Sequence, residues 1–581
     1  MSFGTPVRNG LGVGLLASTS LSTRNRAGFS PASLFAAGEQ GVWYDPSDLS
    51  TMFQDSAGTM PVTATGQPVG FLGDKSRGFV LGPELVISPY GGGASGTWAI
   101  STTQITRNAS ATGQASLNLS STLDTNKRYV VTFSVSGLSG DTVGVRVGSG
   151  TAYQVSSNGT YTARLPAGGT GASLIFIPWG GSAGEAAIDN ISVRELPGNH
   201  ATQPTAASRP VLGRVPVGGR RNLLTFTEQF DDVRWTKLNA TITANAAVAP
   251  DGTMTADLVV STGGETRVGI TGSSPVAATT TYTASIFGKF SNANGRYLWF
   301  RDFFSGRDAG FDLQDGVVTQ VSANMTASVV VSSGGYFRCV ATWTTPAAPV
   351  VVNEQFWVQS SSGTAPSSGT VGGQCPIWGA QLETGSTATN YQRVVTALDV
   401  TQAGVPDCYY LQTDGTDDFL QTGTITPGTD KVQVFAGVRK LSDAAEGMLL
   451  ETSTTLSSGS LRMYAPRSAS NNYAWRTGGS AQSEALASGY AAPITNVLTG
   501  IGDIAADTAN LRINGTEVAN SAADQGTGNF LAYPLYIGRR AGTTLPFNGQ
   551  LYSLIVRFGA NLSAATVAQA EAFVNSKTGA Y

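Results

Sequence analysis

Residues 129–147 read YVVTFSVSGLSGDTVGVRV, and this stretch decides the fold class. Tyr129, Val131, Phe133 and Val135 occupy every second position, a Ser139-Gly140-Asp141 turn follows, and Val143, Val145 and Val147 resume the same period. Two period-two runs joined by a tight turn describe an antiparallel pair of strands with one face in a core. Working outward, Ser173–Ile177 and Ala187–Val193 carry the same signal, so residues 81–196 read as one jelly-roll sandwich. Residues 221–395 repeat it on a larger scale, in Tyr282–Phe287, Arg296–Phe300, Val329–Val331, Phe337–Trp343 and Glu354–Gln359. Both blocks open on an apolar strand (PELVI at 83–87, RNLLTF at 221–226) and carry a tryptophan about 13 residues on, Trp98 and Trp235. Both close on a strand ending in Glu, AAIDNISVRE and PIWGAQLE.

Composition agrees with an all-β reading. Gly supplies 72 of 581 residues, and the chain is 41% hydrophobic and 13% charged, as expected of many short strands joined by turns rather than of disorder. Lys and Arg number 35 against 38 Asp and Glu, a formal charge of −3, so no basic surface for nucleic acid is expected. A single histidine, His200, removes His-based triads and multi-His metal sites from consideration. Cys339, Cys375 and Cys408 fit neither a disulfide framework nor a zinc spacing; they read as buried thiols, with a Cys339–Cys375 bridge as the alternative. No run of 18 apolar residues occurs, so no membrane insertion is expected. Leu11–Ala17 is too short and glycine-rich for a secretory signal.

The third block, 405–581, alternates at Val432, Val434, Ala436 and Val438 and again at Tyr552, Leu554, Val556 and Phe558. One helix closes the chain: Ser563 caps it, Val567, Ala570, Phe573 and Val574 form its stripe, and Gly579 ends it. At the other end, residues 1–39 are polar and aperiodic apart from a short helix signal at Ser30-Pro31, and read as an arm.

Three stretches, GVWYDPSDLSTMFQDSAGTMPV at 41–62, GNHATQPTAASRPVL at 198–212 and DGTDDFLQTG with KVQVFAGVRKLSDAAEG across 414–447, resemble tailed-phage structural proteins that carry a concanavalin A-like, laminin-G-like lectin domain. GPELV and IDNISVRE in the first inner block resemble phage-borne carbohydrate-binding jelly rolls. So do NLLTFTEQFDDVRWTK, APDGTMTAD and WGAQLETGSTATNYQ in the second. The order of the pieces implies one lectin-like sandwich assembled from 40–80, 197–220 and 396–581, with jelly rolls 81–196 and 221–395 spliced into its loops and 1–39 as a virion-attachment arm. A linear string of domains is the alternative. Segments 40–80 and 197–220 are each too short to bury a core alone.

The resemblance implies a virion surface protein, made without a signal peptide, in a tail or head fibre. It would bind host envelope polysaccharide without catalysis and contact other virion proteins through 1–39. It also implies a homo-oligomer, with a trimer by analogy. A ligand-free decoration protein and a polysaccharide depolymerase are the competing readings.

Sugar-binding sandwiches set aromatic faces against pyranose C–H surfaces, with Asn, Asp, Gln or Arg beside them for the hydroxyls. The glycan-binding candidates are Trp179 in the Gly-rich IPWGGSAGE, Tyr297, Trp299 and Trp357 in strands, and Tyr473, Trp475 and Arg476 in MYAPRSASNNYAWRTGG. Trp98, Trp235 and Trp378 read as core. No catalytic residue is assigned and no cofactor is required. A structural calcium is expected, if anywhere, at Glu84 with Asp189, where the first and last strands of a jelly roll meet. Asp414, Asp417 and Asp418 lack the glutamate of an EF-hand loop and read as a turn.

Overall fold

The computed structural model describes residues 29–581 apart from 111, 141, 170, 180–183, 303–305, 348–349, 364 and 454–457, and leaves out the side chains of 110, 270–276 and 350–354. The Leu11–Ala17 stretch and most of the expected arm therefore lie outside the described residues. The fold is all-β, a set of sandwiches with one C-terminal helix.

Two large sheets face one another over a single core that runs from Val42 to Phe558. Their strands come from three separated stretches of chain. In the first sheet, Asn548–Phe558 is central: Gln40–Tyr44 and Asp407–Asp414 share one of its edges end to end, and Lys431–Lys440 takes the other. Val211–Pro216 then pairs with Asp407–Asp414. In the second sheet, Ala201–Thr202 lies between Phe71–Leu72 and Leu420–Ile425. The alternation at 432–438 has a plain cause: Val432, Val434, Ala436 and Val438 enter the core between the sheets. Phe435, pointing the other way, meets the helix Ala564–Thr578 through Val567, Ala570 and Val574. Ser563 caps that helix by accepting the Thr566 N–H at 3.2 Å, and Gly579 ends it at φ +61°, the left-handed region glycine tolerates.

Residues 29–39 differ from the expected arm. Pro31–Leu34 is a 3-10 helix whose Ser30 side chain makes no capping bond, and Leu34 and Phe35 are buried against the C-terminal helix. Glu39 pairs with Arg557 at 2.6 Å, and Arg557 Nε donates to the Leu34 carbonyl. This segment buries apolar surface on the sandwich, which is why it is ordered there.

Strands between Gly92 and Leu196 form a second sandwich around Tyr129, Val131, Phe133, Val135, Val143, Val145 and Val147. Its strand Gly159–Gly168 joins the two layers, pairing antiparallel with Arg128–Ser139 and, at Ala167 and Gly168, parallel with Thr142–Gly148. Strands between Trp235 and Thr384 form two six-stranded sheets around a third core, in which Cys339 and Cys375 are buried free thiols.

Where the second sandwich joins the first, Asp74 accepts backbone N–H groups from Trp43, Ser76 and Asn199 at 2.8 Å each. The Asp74 N–H donates to His200 Nδ1 at 3.0 Å, and His200 Nε2 faces the Leu196 carbonyl at 3.2 Å. His200 stacks on Phe71 and is buried, so it is a structural pivot between strands of both sandwiches.

Candidate functional site

Of the seven aromatic and arginine candidates, the structure removes four from contact with any ligand. Tyr473 and Trp475 are wholly buried, on the inner face of the second large sheet. Tyr473 donates to Asn496 Oδ1 at 3.1 Å, and Trp475 donates to the Ile501 carbonyl at 3.0 Å. Gly500 lies under the Trp475 indole, so close that a Cβ there would stand 2.5 Å from the ring. Arg476 points outward but is held by Glu484 at 3.1 Å.

Trp299 and Trp357 do lie on the face of their sheet turned away from the core, opposite Leu298, Phe300, Phe356 and Val358. They are nevertheless only 0% and 2% exposed. Arg267 and Arg301 lie over the Trp357 ring at 5.1 and 5.7 Å, covering it with their stems and guanidinium groups. Tyr297 is half-buried, with Arg296 at 5.4 Å from its ring.

The carboxylates expected to hold calcium have other partners. Glu84 lies opposite Arg194 and its carboxylate is taken up by Ser192, Val193 and Arg194, while Asp189 lies before a bulge three residues from Ser192 and makes no contact with Glu84 among the hydrogen bonds of the described residues. Burial opposes ionisation of Glu84, but donors from Ser192, Val86, Val193 and Arg194 outweigh it and hold its carboxyl below the ordinary range. Glu84 ties the first strand to the last by hydrogen bonds, the job expected of a metal. Among the described residues, the carboxylate group that clusters is Asp414, Asp417 and Asp418, with oxygens within 4.8 Å of one another. Burial, then Asp414 and Asp417, pushes Asp418 up to about 7. Asp414 accepts the Thr416 N–H at 2.7 Å and Asp417 accepts the Ser208 hydroxyl at 2.6 Å, which makes the cluster a turn clasp.

Trp179 is different. Of the nine tryptophans it alone is exposed, at 38%, while the other eight are buried. It ends the strand Ser173–Trp179, on the outer face of its sheet, since Leu174 and Phe176 fill the core. Its ring lies against Gly144 of the neighbouring strand; a Cβ on Gly144 would stand 3.2 Å from the indole and 2.9 Å from Ile177. Glycine there lets the ring lie against the sheet. Thr142 Oγ1 donates to the Trp179 carbonyl at 2.8 Å and pins the strand end.

Ile175 and Ile177 continue this face along the strand, and Arg146 lies opposite Ile175. Arg146 reaches Gln114 at 3.5 Å, forms no ion pair among the described residues, and keeps a buried Nε without an acceptor. On the far side of Gly144, register places Gln154 of the edge strand Tyr153–Val155. An exposed aromatic plate, an apolar strip, an unpaired guanidinium and an amide therefore share one sheet face. The sequence reading found Trp179 through its Gly-rich loop but missed Arg146 and Gln154. The available signal was their outward position in strands whose alternate residues, Val145, Val147 and Val155, are core.

Gln154 also lines a cleft of about 460 Å³ between the first two sandwiches. Ser56, Ala57, Thr202 and Pro204 contribute one wall, and Arg128, Tyr153, Leu165 and Pro166 the other.

No family model matches the sequence, and no curated protein matches it. Among solved structures the chain is similar to the receptor binding domain of botulinum neurotoxin mosaic serotype C/D, at 12% identity over 28% of this chain and 41% of that one, with a TM-score of 0.23. It is similar to the botulinum neurotoxin serotype D binding domain at 12% identity, over 28% and 42% of the two chains, again with a TM-score of 0.23. A third similar structure is the Ruminococcus gnavus IT-sialidase CBM40 bound to α2,3-sialyllactose, at 15% identity over 24% of this chain and 82% of that one, with a TM-score of 0.21. The chain thus covers about two fifths of the toxin domains it matches.

Proposed function

We propose that this protein is a glycan-binding virion surface protein of a tailed phage, adhering to bacterial envelope polysaccharide without chemistry. The observation that carries the glycan part is Trp179: one exposed tryptophan of nine, laid against Gly144 beside Ile177, with Arg146, which forms no ion pair among the described residues, further along the same face. A soluble sheet face gains nothing from leaving an indole in water, whereas pyranose C–H faces stack on such rings while Arg and Gln bind hydroxyls. The virion part rests on the resemblance of 41–62, 198–212 and 414–447. On that reading, the arm 1–39 contacts another virion protein, and a homo-oligomer multiplies weak single-site affinity.

The test is a glycan array carrying host envelope polysaccharides, probed with the full chain and with Trp179→Ala. Binding by the former that the latter lacks supports the proposal. Absence of binding to every polysaccharide overturns it in favour of a decoration role, and new reducing ends in the incubated polysaccharide overturn the non-catalytic part.

A further inference from the structure

The cleft between the first two sandwiches contains a charge that the protein does not answer. Arg128 begins the strand Arg128–Ser139 and projects into the junction. Its Nη1 donates to the carbonyls of Ser56 at 3.2 Å and Arg164 at 2.8 Å, and its Nη2 to Thr202 Oγ1 at 3.1 Å. These acceptors come from three chain segments, and all are neutral. A guanidinium has five N–H donors, so two remain without a protein acceptor among the described residues. No carboxylate pairs with Arg128 there. Asp55, in the surrounding loop, is engaged by the Thr59 N–H, the Thr59 hydroxyl and the Met60 N–H, each within 2.9 Å, and its charge acts on Arg164 and Tyr153.

The surroundings sharpen the imbalance. Arg164 lies over Phe53 at 3.8 Å and donates to the Gly58 carbonyl, adding a second cation to the same junction. His200, behind Phe71, is kept neutral by burial and by these two arginines, and so adds no further cation. Burial pushes Arg128 down only to about 10, so it stays cationic at neutral pH. Arg128 is half-buried and lies over the Phe71 ring at 5.5 Å, and a bound anion would supply the counterion that its neutral acceptors do not.

We propose that this cleft is a second subsite, which takes the carboxylate of an acidic sugar residue on Arg128. The inference rests on the glycan-binding reading above and names the ligand class for it. A carboxylate matches the planar fork of a guanidinium that already has fixed orientation, and its hydrogen bonds there are charge-assisted. Tyr153, Leu165, Pro166 and Pro204 offer the sugar ring an apolar wall, with Gln154 at the rim for hydroxyls. A volume of about 460 Å³ lies within the range of small-ligand sites.

Gln154, at the rim of the cleft, belongs to the sheet face that carries Trp179. Gly144 is paired on one side with Ile177 and on the other with Gln154. The crossing from the tryptophan strand to the cleft rim is therefore two strand spacings, ~10 Å.

The test is calorimetric titration of the full chain with trigalacturonate and with its methyl ester, which keeps the shape and removes the charge. The expected result is binding of the acid about tenfold tighter than the ester, the worth of a charge-assisted contact. The preference should weaken as salt is raised. Arg128→Lys, which keeps the charge but not the fork, should abolish the preference for acid over ester. Trp179→Ala should weaken acid and ester alike. Equal affinity for acid and ester, or a preference that survives Arg128→Lys with the melting temperature intact, overturns the inference while the glycan-binding reading stands. Binding of array-positive neutral glycans with none of trigalacturonate overturns it too, whereas absence of any glycan binding is the failure of the broader reading. Gln154→Ala gives a check independent of Arg128 and its packing; it should lower acid affinity a few-fold, and no change in affinity counts against this placement.

Discussion

Replacing His200 with Gln should alter the pH dependence of folding more than the folding itself at neutral pH. His200 is 4% exposed, accepts the Asp74 N–H on Nδ1 and faces the Leu196 carbonyl with Nε2, so the neutral ring fits and the imidazolium does not. Burial above all, with Arg128 and Arg164 adding repulsion, pushes it from 6.5 down to about 3. The sign follows from proton counts. Between those two values the unfolded chain carries a proton on His200 that the folded chain lacks, so stability falls as pH falls. This penalty is absent above pH 7, reaches about 2 kcal/mol at pH 5 and grows to about 3 kcal/mol at pH 4, against a typical total of 5–15 kcal/mol. Asp418 and Glu451, each raised to about 7 mainly by burial, act in the opposite sense: their contribution is present at low pH and is lost as pH rises from 4 to 7. The wild-type curve alone therefore mixes both trends, and the difference between wild type and His200→Gln isolates the histidine. Urea unfolding followed by far-UV circular dichroism at pH 7.5 and 5.0 is the assay. The variant loses a constant amount through the broken Asp74 contact, and its deficit should shrink by about 2 kcal/mol at the lower pH. Parallel curves for the two proteins would refute the reasoning.

Four further outcomes are expected. Trp475→Ala, which empties a wholly buried site over Gly500, should destabilise by about 3–5 kcal/mol, whereas Trp179→Ala should cost about 1 kcal/mol or less by the same unfolding measurement. Glu84→Ala should lower the melting temperature by removing the acceptor for Val86, Val193 and Ser192, and added calcium should not restore it. Gly144→Leu should displace the Trp179 ring and reduce glycan affinity without unfolding the sheet, read by array binding and circular dichroism together. Residues 396–581 expressed alone should aggregate, because Gln40–Tyr44 and Val211–Pro216 supply strands to their first sheet; a soluble product that melts cooperatively would contradict this.

The fold was legible where one face of a strand met one core. Val432, Val434, Ala436 and Val438 alternate because only that face enters the sandwich, and the same holds for Tyr129–Val135. Trp299 and Trp357 were named as glycan candidates because they alternate with apolar residues in strands, and the structure places them on the face turned away from the core. Sequence could not reveal that Arg267 and Arg301, distant in the chain or on the next turn of pleat, would fold over the ring. Tyr473 and Trp475 misled through their loop-rich surroundings, because the glycine that accommodates the indole, Gly500, lies 25 residues away on another sheet. Glu84 was named as a calcium candidate where first and last strands meet, but its partners are the N–H groups of Val86 and Val193 with the Ser192 hydroxyl and Arg194, a set that no motif displays. Arg128 and Arg146 were invisible for a deeper reason: what marks them is the lack of a carboxylate nearby, a property of the assembled junction and not of any segment.

The central claim is that carbohydrate lies against Trp179, and the most direct measurement is acrylamide quenching of tryptophan fluorescence with and without an array-positive glycan. Eight of the nine indoles are shielded by the protein itself, so quenching reports mainly on Trp179. The account predicts that saturating glycan protects this accessible fraction, and that Trp179→Ala has neither the fraction nor the protection. Glycan that binds at full affinity while the quenching of Trp179 stays unchanged would contradict it.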